Sequence, residues 1–258
     1  MSDPNNPFNY PLNPTFGQGI FRRHIRLQQG VGVVHGALED CNHGFCVTVY
    51  HDGNRVTDIQ AKAKRTPFTT CPGAVEPLKA LIGKPLDLDA KALNMQMPAG
   101  SNCTHWLDLA ILALQHAKRD EAVREYRVAI PDEDGHSIEA SVHCNARLVH
   151  EWRVEEWQIL EPAAISGNGL YKGFAGWANQ AFADDDEREA AFVLQKGYFV
   201  SRARRYDIQQ LTGESAKVHT MMHGACYSYS EPNVSQAVRS ADSVRDFTDS
   251  EEEILKFT

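Results

Sequence analysis

Three short stretches of the chain gather the side chains that nucleophilic, acid–base and metal chemistry require. The first joins CPGAVEPLKALIG, residues 71–83, to SNCTHWLDLAILALQHA, residues 101–117. Cys71 stands at the start of one expected helix and Cys103 at the start of the next, with His105 two residues further on. A helix N-terminus favours a thiolate, because its unpaired N–H groups and the macrodipole attract negative charge. Two thiolates and an imidazole match the sulfur and nitrogen donors of a tetrahedral zinc site. A catalytic zinc keeps one position for water and lowers its pKa to about 7. Asp108, one turn beyond His105, is placed to receive the other ring N–H. The plainer reading makes both thiols small core residues and His105 an ordinary polar residue at a helix start.

The second stretch is HTMMHGACYSY, with His219, His223 and Cys226. Two histidines four apart share a face of a helix, but Gly224 and the Cys-Tyr-Ser-Tyr segment favour a strand or loop, where that spacing loses its meaning. His219 then reads as a surface or core histidine. The third is LEDCNHGFCVTV: Glu39, Asp40 and His43 at the start of a strand supply a general base or a metal ligand. The same letters are good turn chemistry, with Asp40 and Asn42 satisfying backbone groups. G-x-S-x-G, P-loop and G-x-G-x-x-G signatures are absent. The glycines of SGNGLYKGFAGW shape a loop with Trp177 as an apolar wall, or simply a close-packed turn.

The elements that must position these residues fall in two similar halves. IFRRHIRLQ, VGVVHGALE, HGFCVTVYHD and RVTDIQAKAK read as strands separated by turn signals, Asp52-Gly53 among them. Pro72 and Gly83 bracket a helix, LDLDAKALNMQMPAG reads as a loop, and residues 101–117 form an amphipathic helix. REYRVAIP, HSIEASVHC, ARLVHEWRV and EEWQILEP repeat the strand pattern. FAGWANQAF and EREAAFVLQKGYFVSRARRYD are expected helices, as is SEPNVSQAVRSA with Ser230 as its cap. Strand groups each followed by helices give an α+β class with antiparallel pairing. We expect a Pro/Asn-rich extended arm over 1–19 and one domain over 20–247, with sub-lobes of about 20–120 and 125–247. An acidic tail over 248–258 would form a last helix or a frayed end.

Composition narrows the function classes. The chain has 258 residues, 42% hydrophobic and 23% charged, and a formal charge of −8. Its one dense basic cluster, Arg202, Arg204 and Arg205, follows the acidic run Asp184–Glu189, which argues against a nucleic-acid partner and leaves room for a small anion. No apolar run approaches the roughly 20 residues of a membrane span. The first residues lack the basic and apolar regions of a secretion signal, so a cytoplasmic protein is expected. The six cysteines follow no disulfide spacing and read as reduced thiols.

RTPFTTCPGAVEPLKALIG followed by NCTHWLDLAILALQHA resembles a bacterial family catalogued as domain of unknown function 2889. Its pattern of an acidic pair and histidine, Arg-x-Pro before Cys-Pro, and Cys-Thr-His opening a helix is met here. The matching residues are Glu39, Asp40 and His43, then Arg65, Pro67, Cys71 and Pro72, then Cys103, Thr104, His105 and Asp108. Gly173–Ala178, Cys226-Tyr227 and the segment ending at Phe247 also look like longer members, while Cys41 stands where a second aspartate is expected.

The resemblance implies catabolism of aromatic or acyl compounds through coenzyme A esters. With the residues above, it gives a metal-assisted hydrolase or lyase, most concretely an acyl-CoA thioester hydrolase. Zinc would be held by Cys71, Cys103 and His105, with His43 or His223 completing or facing the site. Asp40 or Glu39 would activate the bound water. Arg65 or Arg202 would hold the substrate's carboxylate or phosphate, and Trp177 and Tyr227 would flank its ring. Two alternatives stand beside it: a metal-free enzyme with Cys103 as thiolate nucleophile, and a non-catalytic, zinc-clipped subunit of a catabolic complex. A homo-oligomer is compatible with each.

Overall fold

The computed structural model describes residues 6–87, 93 and 96–257. Alternation of apolar and polar residues builds the first strand: Phe21, Arg23, Ile25 and Leu27 turn inward while Arg22, His24 and Arg26 face the other way. The first half supplies β1 (Ile20–Gly30), β2 (Val33–Asp40), β3 (Gly44–His51) and β4 (Val56–Arg65). The second supplies β5 (Val123–Pro131), β6 (Ile138–Cys144), β7 (Arg147–Glu155) and β8 (Gln158–Glu161). Together they form one antiparallel sheet in the order β4-β3-β2-β1-β5-β6-β7-β8. The halves join where β1 pairs with β5, in a register that sets Ile25 opposite Tyr126. Two four-strand meanders therefore stand back to back, and the α+β, antiparallel expectation is met.

Each meander is followed by a helix that packs on the same face of the sheet. Helix α2 (Thr104–His116) lies on β1, β2 and β3, and helix α4 (Asp185–Ser201) lies on β5, β6 and β7 while also reaching β1. The short α1 (Val75–Leu78) precedes α2, and the short α3 (Phe174–Ala181) precedes α4. Gly36 lets α2 approach closely: a Cβ there would sit 2.9 Å from Val47 Cγ1 and 3.3 Å from Leu109 Cδ1. Almost the whole circumference of α2 is buried; Thr104, His105, Asp108 and Gln115 keep part of their surface outside the core. The amphipathic stripe expected at residues 101–117 is wider in the fold, where α1 also packs against α2 and Leu93 and Met97 belong to the same buried cluster.

Three expectations are corrected. The helix bracketed by Pro72 and Gly83 is broken into a 3-10 turn over Cys71–Ala74, one α-turn in α1 and a further 3-10 turn over Lys79–Leu81. Pro77 lies inside it and has no N–H to continue the ladder. The stretch 230–241 holds a single 3-10 turn, Asn233–Ser235, because isolated bridges from Val238 to Ser215 and from Arg239 to Phe68 keep the following residues extended. Of the acidic tail, only Glu251–Glu253 are helical, as a 3-10 turn, and the described residues after it pack on the sheet. After a 3-10 turn over Glu251–Glu253, Ile254 is buried on the sheet face opposite α2 and α4, where Glu251 meets Arg22 and His24. The loop expected over LDLDAKALNMQMPAG falls partly on 88–92, 94 and 95, outside the described residues. Of the arm, residues 6–19 dock on the chain near Arg205 and Tyr206 through Asn13 and Leu12.

Among the described residues no helix is long and apolar enough to cross a membrane. Leu109 is fully buried between α2 and the sheet, so Leu109→Ala should cost about 2–5 kcal/mol of stability by loss of contacts and the cavity left behind. Urea unfolding of the two proteins measures this directly.

Candidate active site

Asp40 ends β2 and points to the helix side of the sheet, opposite Arg23 of β1 in the register of the two strands. The Arg23 side chain donates from Nε (3.0 Å) and Nη2 (2.6 Å) to one carboxylate oxygen, Oδ2. The other, Oδ1, accepts the backbone N–H groups of Asn42 (2.8 Å) and His43 (2.9 Å) and faces His43 Nδ1 at 3.0 Å. Asp40 has no exposed surface and Arg23 has 1%. Burial alone would raise the carboxyl's pKa, but the adjoining His43 imidazole and Arg23 guanidinium outweigh it and hold Asp40 well below the usual carboxylate range. The turn and the placement of the histidine thus rest on the same carboxylate. The Asp-Cys-Asn-His turn is closed by the Asp40 N–H on the His43 carbonyl (3.0 Å), and it aims the imidazole.

An ionised carboxylate can only accept hydrogen bonds, so the proton of a neutral His43 sits on Nδ1 and Nε2 is left as the basic nitrogen. Among the described residues Nε2 has no hydrogen-bond partner, and the side chain keeps 10% of its surface open. The His43 ring stacks on that of His105, with centroids 3.9 Å apart. It also leans on Phe45, which in turn packs against Trp106 of α2. His105 is in the first turn of α2, and its Nε2 is buried with no partner. Burial, followed by the neighbouring His43 imidazole and Arg23 guanidinium, holds the His105 pKa well below the ordinary value of 6.5, so its ring stays neutral. Asp108 does not serve His105: it pairs with Lys196 of α4 at 2.9 Å.

Arg65 holds the turn from behind. It donates to the carbonyls of Cys41 (2.8 Å), His43 (3.1 Å) and Ser243 (2.8 Å) and to Glu39 Oε1 (3.1 Å). Glu39 therefore belongs to the opposite face of the sheet, where its second oxygen accepts the Leu255 N–H at 2.7 Å. Arg65 and Glu39 are structural neighbours of the Asp40–His43 turn and do not face the His43 ring.

The residues proposed to hold zinc divide between two places. His105 turns to His43, while Cys103 lies close enough to Cys71 and Cys226 for those thiols to act on its own, disfavouring its ionisation. Cys71 accepts a hydrogen bond from Ser228 at 3.3 Å and shares a small buried cluster with Cys226. His223 is engaged elsewhere, its Nε2 on the Lys217 carbonyl at 3.1 Å. Among the described residues no group of three or more His, Cys, Asp or Glu side chains is arranged to hold a metal ion. The donor set read from the sequence thus does not fit zinc in this arrangement. The expected thiolates are not favoured either. Burial pushes Cys71 up to about 11 and Cys103 further still, outweighing what a helix start contributes. Cys71 opens only a four-residue 3-10 turn, whose dipole is small.

The residues expected to flank substrate are dispersed. Arg202 pairs with Glu133 and lies over the Trp157 ring. Trp177 donates to the Gly169 carbonyl (2.9 Å) and packs against Phe174 in the second half. Tyr227 closes over Gly73, where its hydroxyl would stand 2.7 Å from an added Cβ. His219 is a packed histidine, edge-on to Tyr10.

Arg23 escaped the sequence reading, yet it left a signal. It is a cation in the inward register of Phe21-x-Arg-x-Ile25-x-Leu27, where a buried arginine requires a buried acid.

Fold and site define an antiparallel α+β protein with a buried aspartate–histidine pair under a helix start. Residues 27–119 match the family described as protein of unknown function (DUF2889), the family that the sequence resembles. The matched segment holds Asp40, His43, Cys71, Cys103 and His105, and ends just beyond α2. No curated protein matches the chain.

Burial of these groups has two measurable consequences. An unfolded chain takes up a proton on His105 below about pH 6.5 and the folded one does not, so this contribution to stability is complete above that pH and is lost as pH falls below it. Urea midpoints at about pH 7.5 and pH 5.5 should differ less for His105→Gln than for the parent. With their pKa values raised, Cys71, Cys103 and Cys226 should resist iodoacetamide at about pH 7.5 in the native protein and react on unfolding, as peptide mass spectrometry would show.

Proposed function

We propose that the protein is a hydrolase of activated acyl groups, acting on a thioester such as an acyl-coenzyme A, with water as the nucleophile. The observation that supports it is the pairing of His43, oriented through Nδ1 by ionised Asp40, with a second imidazole held neutral beside it. His43 Nε2 takes a proton from water as the water oxygen bonds to the thioester carbonyl carbon. A neutral imidazole can give an N–H to the developing oxyanion, and His105 Nε2, unpaired but buried, takes that role once substrate binding uncovers it. Collapse of the tetrahedral intermediate breaks the C–S bond, and the thiolate recovers the proton from His43. A thiolate of pKa about 8.5 leaves without strong acid assistance. That suits a thioester better than an amide in a site with one base and no placed acid.

No step in this scheme passes through a metal ion, since the thiols and His105 do not converge. All six cysteines are free, which agrees with a reducing cytoplasmic setting. The substrate is then a small molecule, and neither nucleic acid nor membrane is required.

Thiol release from a panel of aliphatic and aromatic acyl-coenzyme A esters tests the reading. His43→Ala should lower kcat/KM by about 10²–10⁴-fold, with circular dichroism unchanged, and His105→Gln should lower kcat more than it changes KM. Chelator-treated protein should keep its rate. Full activity of His43→Ala, or no turnover across the panel, overturns the proposal. Chelator loss reversed by zinc would return the chemistry to a metal.

A further inference from the structure

The sheet face opposite α2 and α4 carries a cavity of about 620 Å³ between the edge of β4 and the segment 240–257. That is within the range of about 300–1,000 Å³ in which small-molecule sites fall. Two of its three acids are engaged; the third, Asp242, is exposed and has no ion pair among the described residues. Glu39 is bound by Arg65 and by the Leu255 N–H, and Glu253 pairs with Lys256. Of its four cations, Arg65 and Lys256 are engaged in the same way, while Lys64 and Arg245 keep spare donors. Lys64 has no ion pair among the described residues and lies 5.7 Å from the centroid of the Phe257 ring. Arg245 reaches Glu39 only at 3.7 Å and leaves more than half of its side chain, 57%, in solvent. The hydroxyl residues Thr66, Ser240 and Ser243 complete the wall.

A guanidinium fork and an ammonium with spare donors, grouped with hydroxyl residues, form a set that recognises the oxygens of a phosphate. The Phe257 ring adds an apolar surface: it packs over Gly44, where a Cβ would stand 3.2 Å from Cε1. We infer that this cavity binds a small organic phosphate, with the phosphate between Lys64 and Arg245 and the organic part against Phe257. The inference is independent of the hydrolase reading, because the cavity and the His43 ring lie on opposite faces of the sheet. What joins them is Arg65, which lines the cavity and also holds the His43 carbonyl.

Calorimetric titration of the full chain with ADP and, separately, with inorganic pyrophosphate tests it. The parent should bind ADP with a saturable heat. The Lys64→Ala/Arg245→Ala variant should bind it about tenfold or more weakly, the loss of one or two charge-assisted contacts. Both side chains are exposed, so thermal unfolding should confirm an intact fold. Lys118→Ala/Lys172→Ala, which removes two exposed lysines outside the cavity, should bind like the parent. Equal affinity for pyrophosphate and ADP would assign recognition to the phosphate alone and remove Phe257 from the proposal. Absence of binding by the parent at millimolar ADP and pyrophosphate, or equal weakening in both double variants, overturns it.

Discussion

The arrangement depends on one buried ion pair, Arg23 with Asp40, placed across β1 and β2 where both side chains are cut off from water. Taking two charges out of solvent costs several kcal/mol for each, and the mutual attraction offsets that only when the remaining hydrogen-bonding capacity is filled. Here it is filled. Arg23 occupies one carboxylate oxygen, and the turn N–H groups with the His43 ring occupy the other. The pair therefore fixes more than itself: it sets the turn after β2, the tautomer of His43, and through the stacked ring the environment of His105. A neutral substitute at Asp40 would leave Arg23 charged and alone in the core.

The second half carries a counterpart with a different outcome. On the same sheet face, Arg124 and Tyr126 of β5 meet Glu189 of α4, joined by Arg119 and Asp186. Burial raises Glu189, while the arginines oppose that shift. The two halves share a topology about the β1–β5 seam but not a chemistry. In the first, a histidine is left with a free nitrogen; in the second, carboxylates, arginines and a tyrosine bind one another. Lys196 on α4 crosses between them to Asp108 on α2, so the first half's site is bordered by the second half's helix.

Legibility in the sequence followed the range of the interactions. All eight strands were readable, because alternation and turn residues are local and the sheet repeats them. Helices failed where proline or a distant bridge intervened, as at Pro77 and at Val238. Asp40, His43 and His105 were legible as residues able to do chemistry. The grouping was legible only in part: His105 was read with Cys71 and Cys103, with His43 or His223 completing or facing them, whereas its ring stacks on His43 while the thiols turn to Cys226. Spacing along a chain cannot tell which side of a helix start meets which strand.

What the sequence determined by itself is the class of fold and the residues carrying reactive groups, since periodicity and residue type are properties of short segments. Only the tertiary structure decided the partners. The β1–β2 register puts Arg23 opposite Asp40, a shift of one residue would send Glu39 there instead, and the side-chain period of two makes that choice absolute. Burial then decided the protonation states, holding Asp40 charged, His105 neutral and the thiols protonated. Desolvation is a property of the packed core and has no counterpart in the order of residues along the chain.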